Sequence, residues 1–368
     1  MATTSVRRAR LPVLLCLAFA GSGCESLAYY GQAVRGQAAL LLGARSVDRL
    51  LEDPALAADR RAQLELARTL REFAERELAL PAGDRYRRYV ELDREAVLFN
   101  VYAAPRYEMA PLLWCFPIAG CVSYRGYFDR AAAERKARAL AEQGYDVHVG
   151  GVAAYSTLGW FDDPLLSSFL ERPPADLAEL LFHELAHSIA YVPGDTAFNE
   201  SFATFVGREG VRRWLDEEED PAARLAWETR GQEREGFIAF ALDARARLAE
   251  AFDSARAAGA DERTLEAVRA REWADLRRRW LASRSPDAAP YDGFFLAVPS
   301  NARLNTVADY NQHVPAFAAL FEETGARFEP FFDRVRALAS APEVEREAFL
   351  DAARPDDGPD LAGVRAQR

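Results

Sequence analysis

The sequence predicts an α+β fold in which helix dominates, and three observations carry that prediction. Apolar residues recur at three- and four-residue spacing over most of the chain, as in "RRAQLELARTLREFAERELAL" at residues 60–80. A central region alternates in strand fashion instead and is rich in Tyr and Val. The order is helices, a small β-sheet, two consecutive helices, then more helices, not the regular strand–helix repeat of a parallel α/β protein. At 368 residues, 50% hydrophobic and 28% charged, the chain can bury a large core.

The first residues stand apart from the fold. "MATTSVRRAR" is basic, "LPVLLCLAFA" is apolar, and "GSGC" ends at Cys24. This is a secretory signal over residues 1–23, too short to span a bilayer as a mature helix. Small residues ending at a cysteine fit a lipoprotein signal, with Cys24 acylated as the new N-terminus. Gly21 departs from the aliphatic residue usual there, so ordinary cleavage is the alternative. Glu25, where Asp would favour inner-membrane retention, points to the outer membrane. The expected location is therefore periplasmic and lipid-anchored. No later stretch is long and apolar enough for a transmembrane helix. The net charge of −11 argues against a nucleic-acid partner and equally against docking on anionic lipid by overall charge.

Export decides how the cysteines read. Cys16 leaves with the signal and Cys24 is assigned, which leaves Cys115 and Cys121 in "WCFPIAGCVSY". In an oxidising compartment a disulfide closing this short loop is the first reading, with two buried thiols as the other. A metal role is disfavoured, because the spacing is not C-x2-C and no histidine is near.

Along the chain, residues 25–80 are helical in pattern, including "RSVDRLLED". Strands follow in "YRRYVELDREAVLFNVYAAP" and "CVSYRGYF". "DRAAAERKARALAEQG" is a helix opened by Asp129 as N-cap and stopped by Gly144. "YDVHVGGVAAYST", residues 145–157, is a third strand, and His148 within it reads as structural. Helices then cover residues 173–192 and 195–215 and most of 221–283, with a loop at 283–295. Residues 24–353 form one domain with long N- and C-terminal helices, and 354–368 a disordered tail.

The chemistry lies in "FHELAHSIAYVPGDTAFNESFATF", residues 182–205. His183 and His187 are four apart, on one helical face, and can pinch one ion. Glu184 is offset by about 100° and can reach a metal-bound water without taking a coordination position. Pro193 and Gly194 break the helix, and Glu200 follows in the next one. Two histidines and a carboxylate would leave the fourth tetrahedral position of a zinc ion, one per chain, for water. The bland alternative is an apolar helix with two satisfied histidines. The chain has only four histidines, and two of them stand at ligand spacing.

This pattern resembles the gluzincin class of zincin-like metallopeptidases, whose third ligand is a Glu on a downstream helix. The spacing to Glu200 is shorter than in thermolysin-like enzymes, and Thr204 stands where those carry an orienting Asp; Asp195 or a backbone carbonyl would then fill that role. "YYGQAVRGQAALL", "WCFPIAGCVSYRGYF", "VAAYSTLGWFDDP", "FHELAHSIAYV", "DTAFNESFATFV" and "SNARL…Y…VPAF" together resemble a bacterial family of predicted zinc aminopeptidases with lipoprotein-like signals. The resemblance implies a peptidase in which Glu184 is general base and Tyr310 or His313 donates to the oxyanion, with Tyr310 favoured because the family pattern has tyrosine there. Residues 150–156 would hold a peptide substrate by strand addition, with Tyr155 and Ser156 lining the cleft. Asp162 and Asp163 are candidates for a free α-amino group, or simply face solvent. Arg125 would contact a substrate carbonyl or fix the sheet. Two other readings remain open: a non-catalytic binding module, against which the intact Glu184 speaks, and a zinc amidase or endopeptidase acting on cell-wall peptides.

Overall fold

The computed structural model describes residues 10–117, 119–154 and 162–352, with side chains from residue 27 onward. It runs α1 (Arg10–Gly43), β1 (Arg45–Ser46), α2 (Val47–Glu52), α3 (Ala58–Glu77), β2 (Arg88–Val90), β3 (Leu98–Pro105), β4 (Trp114–Phe116), β5 (Gly120–Val122), β6 (Tyr124–Tyr127), α4 (Arg130–Glu142) and β7 (Tyr145–Val152). Then come β8 (Leu165–Leu166), α5 (Ser167–Leu170), α6 (Pro174–Ala186), α7 (Thr196–Glu217), α8 (Pro221–Ala257), α9 (Glu262–Ser283), α10 (Asp292–Leu296), α11 (Asn301–Asn311), α12 (Val314–Glu323), α13 (Phe328–Ser340) and α14 (Glu343–Ala352). Helix dominates, with small sheets between, as an α+β fold requires. The expected tail at 354–368 and the candidates Tyr155 and Ser156 lie outside the described residues.

The strand region departs from the single sheet expected. Two three-stranded sheets form, in orders β1-β2-β8 and β6-β3-β7, and β4 with β5 makes a separate hairpin. Residues 86–105 split between them, because β2 pairs with β1 and β8 while β3 pairs with β6 and β7. In β3 the two-residue period sorts the side chains. Phe99, Val101 and Ala103 face α4, whose Ala133, Ala137 and Leu140 complete that layer. Asn100, Tyr102 and Ala104 take the other face, where Ala302 of α11 and Tyr124 of β6 pack. Cys115 and Cys121 are directly opposed in the β4–β5 register and form the disulfide.

Helix boundaries follow their caps. Asp129 accepts from the Ala131 N–H at the start of α4. The loop expected over 283–295 is instead a 3-10 turn at Pro286–Tyr291 and α10, because Ser285 accepts from the Ala288 N–H and Pro286 suits a first helical position. The helix expected to reach 192 stops at Ala186, with His187 still in right-handed helical conformation at its C-cap. Beyond it, the Asn199 side chain takes both the N–H and the C=O of Val192, at 2.8 Å each, which withdraws them from any helix. The strand expected to reach 157 ends at Val152.

The largest core surrounds α6 and α7. Phe198, Phe202 and Phe205 of α7 interlock with Phe317, Phe321, Phe331 and Phe332 of α12 and α13, at ring separations of 5.2 to 6.2 Å. Each fully buried Phe contributes roughly 1.5–3 kcal/mol. This block makes the α6–α7 hairpin one of the best-buried parts of the molecule.

Candidate metal centre

α6 and α7 pack antiparallel, and the sequence of α7 explains how closely. A Cβ at Gly207 would lie 2.8 Å from the Glu179 carbonyl oxygen and 3.3 Å from the His183 Cβ. One at Gly210 would lie 2.7 Å from the Phe182 ring. Glycine at these two positions lets α7 approach until Glu200 meets the histidines.

His183, His187 and Glu200 each offer a ligand atom, all within 4.8 Å of one another, and this group could hold a metal ion. Nε2 of His183 is 3.3 Å from Glu200 Oε2, and Nε2 of His187 is 3.7 Å from the same oxygen. Donors bound tetrahedrally to zinc lie roughly 3.3 Å apart, given bond lengths of about 2.0–2.1 Å, so the two histidine–glutamate spacings suit such an ion. The imidazole rings stand nearly perpendicular, 4.9 Å apart. Among the described residues the buried His187 Nδ1 has no hydrogen-bond partner, and it is Nε2 that faces Glu200.

The electrostatics are those of a buried charge cluster. Burial alone would lower the His183 pKa, but its hydrogen bond to Glu200 and the charges of Glu200, Glu184 and Glu179 raise it. His187 falls to about 4, chiefly through burial, with His183 adding to that and Glu200 opposing it. Burial would raise Glu200, yet His187, His183 and a hydrogen bond from Tyr310 bring it below the usual range. Glu184, 8% exposed, is pushed up to about 7 by burial and by the charges of Glu200 and Asp163, with His183 opposing.

The other candidates separate. Tyr310 of α11 stacks on His183 at 6.0 Å and donates its phenol to Glu200. His313 sits at the N-cap of α12, with its backbone N–H donating to Ser201 Oγ at 3.3 Å. Asp163 is buried and acts on Glu184, whereas Asp162 is exposed beside Arg45, Arg49, Arg87 and Arg88. Asp195 does not orient a histidine. Its carboxylate caps α7 through the Phe198 N–H and pairs with Arg346 at 2.8 Å. Arg125 lies over the Tyr29 ring at 4.1 Å, which fixes α1 to the sheet. His148 stacks on Tyr102, and its pKa drops to about 4 through burial and the nearby Arg303.

Several groups were not legible as site residues. Tyr102 is buried and Tyr124 partly so, and the Glu200 charge helps raise both phenols, after burial. Asp309, next to Tyr310, accepts from Ser123 Oγ at 2.7 Å. Burial raises its pKa to about 6. The alternation of "FNVYAAP" is the one signal that could have placed Asn100 and Tyr102 on a common polar face.

The disulfide hairpin also serves this centre. The Ala119 carbonyl accepts from the Gly194 N–H at 3.1 Å and from the Tyr191 hydroxyl at 3.2 Å. Gly120, at φ +74°, comes so near that a Cβ would lie 2.5 Å from the Gly194 nitrogen. Gly194 itself has φ +88°. The hairpin thus clamps the turn joining the histidine helix to the glutamate helix.

No curated protein and no solved structure matches the chain. A family model described as "Putative aminopeptidase" matches residues 28–350, from α1 through α14, and the chain belongs to that family.

Proposed function

We propose that the protein is a zinc-dependent peptidase with a zincin-like, gluzincin-type centre, acting as an aminopeptidase on peptide or protein substrates. The observation that carries this reading is the convergence of His183, His187 and Glu200 with the buried Glu184 beside them. Zinc held by these three side chains would acidify a bound water and polarise the scissile carbonyl. Glu184 takes the proton of the attacking water and passes it to the leaving amine. Tyr310, already beside Glu200, is the candidate hydrogen-bond donor to the developing oxyanion. Among the described residues β7 (Tyr145–Val152) is an edge strand, and its end supplies the start of the proposed strand addition of substrate along residues 150–156. Asp163, on the Glu184 side, is the better placed of the two aspartates to meet a free α-amine. We place the protein in the periplasm, anchored through an acylated Cys24, in keeping with its leader.

Elemental analysis of the purified protein beside a Glu200→Ala variant tests the centre. The expected result is about one zinc per chain, lost or much weakened in the variant. Peptides with free and with acetylated N-termini then test the activity, with Glu184→Gln as the control for the base. Cleavage of the free form alone supports an aminopeptidase. Cleavage of both would point to endopeptidase or cell-wall action, and zinc without cleavage to a binding module.

A further inference from the structure

α1 shows two contrasting faces. One is docked. Tyr29 packs on Phe116 and Tyr127 and under Arg125, Gln32 accepts from the Phe128 N–H at 2.9 Å, and Leu40 enters the main core. Gly36 lies against the Phe128 ring so closely that no side chain fits there. The opposite face points to solvent, yet it is apolar. Leu27 is 76% exposed, Tyr30 47%, Val34 69% and Leu42 87%. With the exposed Ala38 they fall at i, i+3, i+7, i+11 and i+15, a single stripe along the helix. A surface helix normally turns its polar residues outward, so this pattern is inverted.

We infer that this face of α1 lies in the headgroup–acyl boundary of a lipid bilayer, parallel to its surface, and seats the protein on the membrane. Two features select lipid over a second copy or a protein partner. The stripe begins at Leu27, three residues after the proposed acylation site Cys24, so it prolongs the point at which the mature chain would enter lipid. Between Glu25 and Asp48 there is no carboxylate, and Arg35 and Arg45 are the only charges, although the chain as a whole carries −11. Arg35 borders the stripe and can reach phosphate while its stem stays with the apolar side chains. On β6, Arg125 and Tyr127 face α1, whereas Tyr124 faces Tyr102 and the metal centre. The strand therefore stands between the lipid face and the reactive groups, and the centre is turned away from the bilayer. None of this depends on the peptidase reading.

Spin labelling tests the inference in the mature chain without its leader, residues 24–368, with Cys24 replaced by alanine so that an introduced cysteine is the free thiol. Nitroxides are placed at Val34→Cys, at Leu42→Cys and, as a water-facing control, at Val344→Cys, which is 76% exposed. The chain is reconstituted in phosphatidylethanolamine–phosphatidylglycerol vesicles. Seating in lipid predicts that the ratio of oxygen to nickel-chelate accessibility at 34 and 42 exceeds that at 344 by on the order of tenfold. Ratios equal to that of the control would overturn the inference. So would low accessibility to both reagents with dipolar broadening, which would mean that a second copy covers the face. Because all three positions are exposed, circular dichroism should show the same fold for every labelled chain.

Discussion

Two helical hairpins lie side by side in this chain and use glycine in opposite ways. In α6–α7 the helices approach until Gly207 and Gly210 touch the facing backbone and ring, and no Cβ fits. In α8–α9 the space is filled by side chains. Ala241, Ala244, Leu248 and Phe252 meet Trp273, Leu276 and Trp280, and Arg279 reaches across to Asp243 at 2.8 Å. A Cβ at Gly231 or Gly236 of α8 would meet nothing within 4 Å among the described residues. The first hairpin sacrifices side-chain packing to bring a carboxylate within reach of two histidines. The second has no such task, so its glycines only weaken the helix. Closeness of backbone, not apolar content, marks the functional hairpin.

The sharpest way to break this comparison is Gly207→Ala. The added methyl meets a backbone carbonyl, which cannot swing aside as a flexible side chain would. Alanine should gain up to about 1 kcal/mol in helix propensity, yet overpacking costs roughly 1–3 kcal/mol or more. The expected outcome is a net destabilisation of about 2 kcal/mol in urea unfolding. Zinc affinity, read by chelator competition, should weaken together with it. A neutral substitution would mean that α6 and α7 can separate without consequence.

The disulfide comes next. Replacing Cys115 and Cys121 by serine opens a short loop, an effect worth about 2 kcal/mol in the chain-entropy account. If the hairpin clamps the α6–α7 turn through Ala119 and Gly120, the variant should also bind zinc more weakly in the folded state. A loss of stability with unchanged zinc affinity would reduce the bond to a simple cross-link.

What the sequence disclosed of this centre was whatever is local. His183, Glu184 and His187 share one helical turn, and Pro193 with Gly194 announces the reversal that returns Glu200. The helix-rich α+β class was legible from spacing for the same reason. What escaped depends on contacts distant in sequence. Asp309 matters because Ser123, 186 residues away, donates to it. Asp195 seemed available to a histidine until Arg346, 151 residues on, claimed it. The division of the strands into two sheets was hidden because nothing in residues 86–105 says which neighbours each half will pair with.

Asp309 offers a smaller and pH-dependent test. Its carboxyl is raised by burial to about 6, with the Glu200 charge adding and the Ser123 hydroxyl and Arg245 opposing. A carboxyl whose pKa rises on folding holds its proton more tightly in the folded state. Its contribution is therefore complete below the unfolded value near 4 and is lost as pH climbs through about 6. Asp309→Asn removes that loss and still accepts from Ser123. Relative to the parent, the variant should gain about 1–2 kcal/mol between pH 4 and pH 7, after allowance for partial solvent contact. Parallel stability curves for the two proteins would place the titration elsewhere.

The smallest effect should have the opposite sign and arise in the other hairpin. Gly236→Ala lies within α8, where a methyl group meets no neighbour. The folded helix loses nothing, while the unfolded chain loses the extra freedom of glycine. The expected outcome is a stabilisation of roughly 0.5–1 kcal/mol, seen as a higher urea midpoint at unchanged slope, with zinc content unaltered. Gly→Ala would then weaken one hairpin and strengthen the other, which only the distance between facing backbones can explain. If Gly236→Ala instead proved destabilising, the upper half of α8 would have a packing partner, and its glycines would have to be read as those of α7 are.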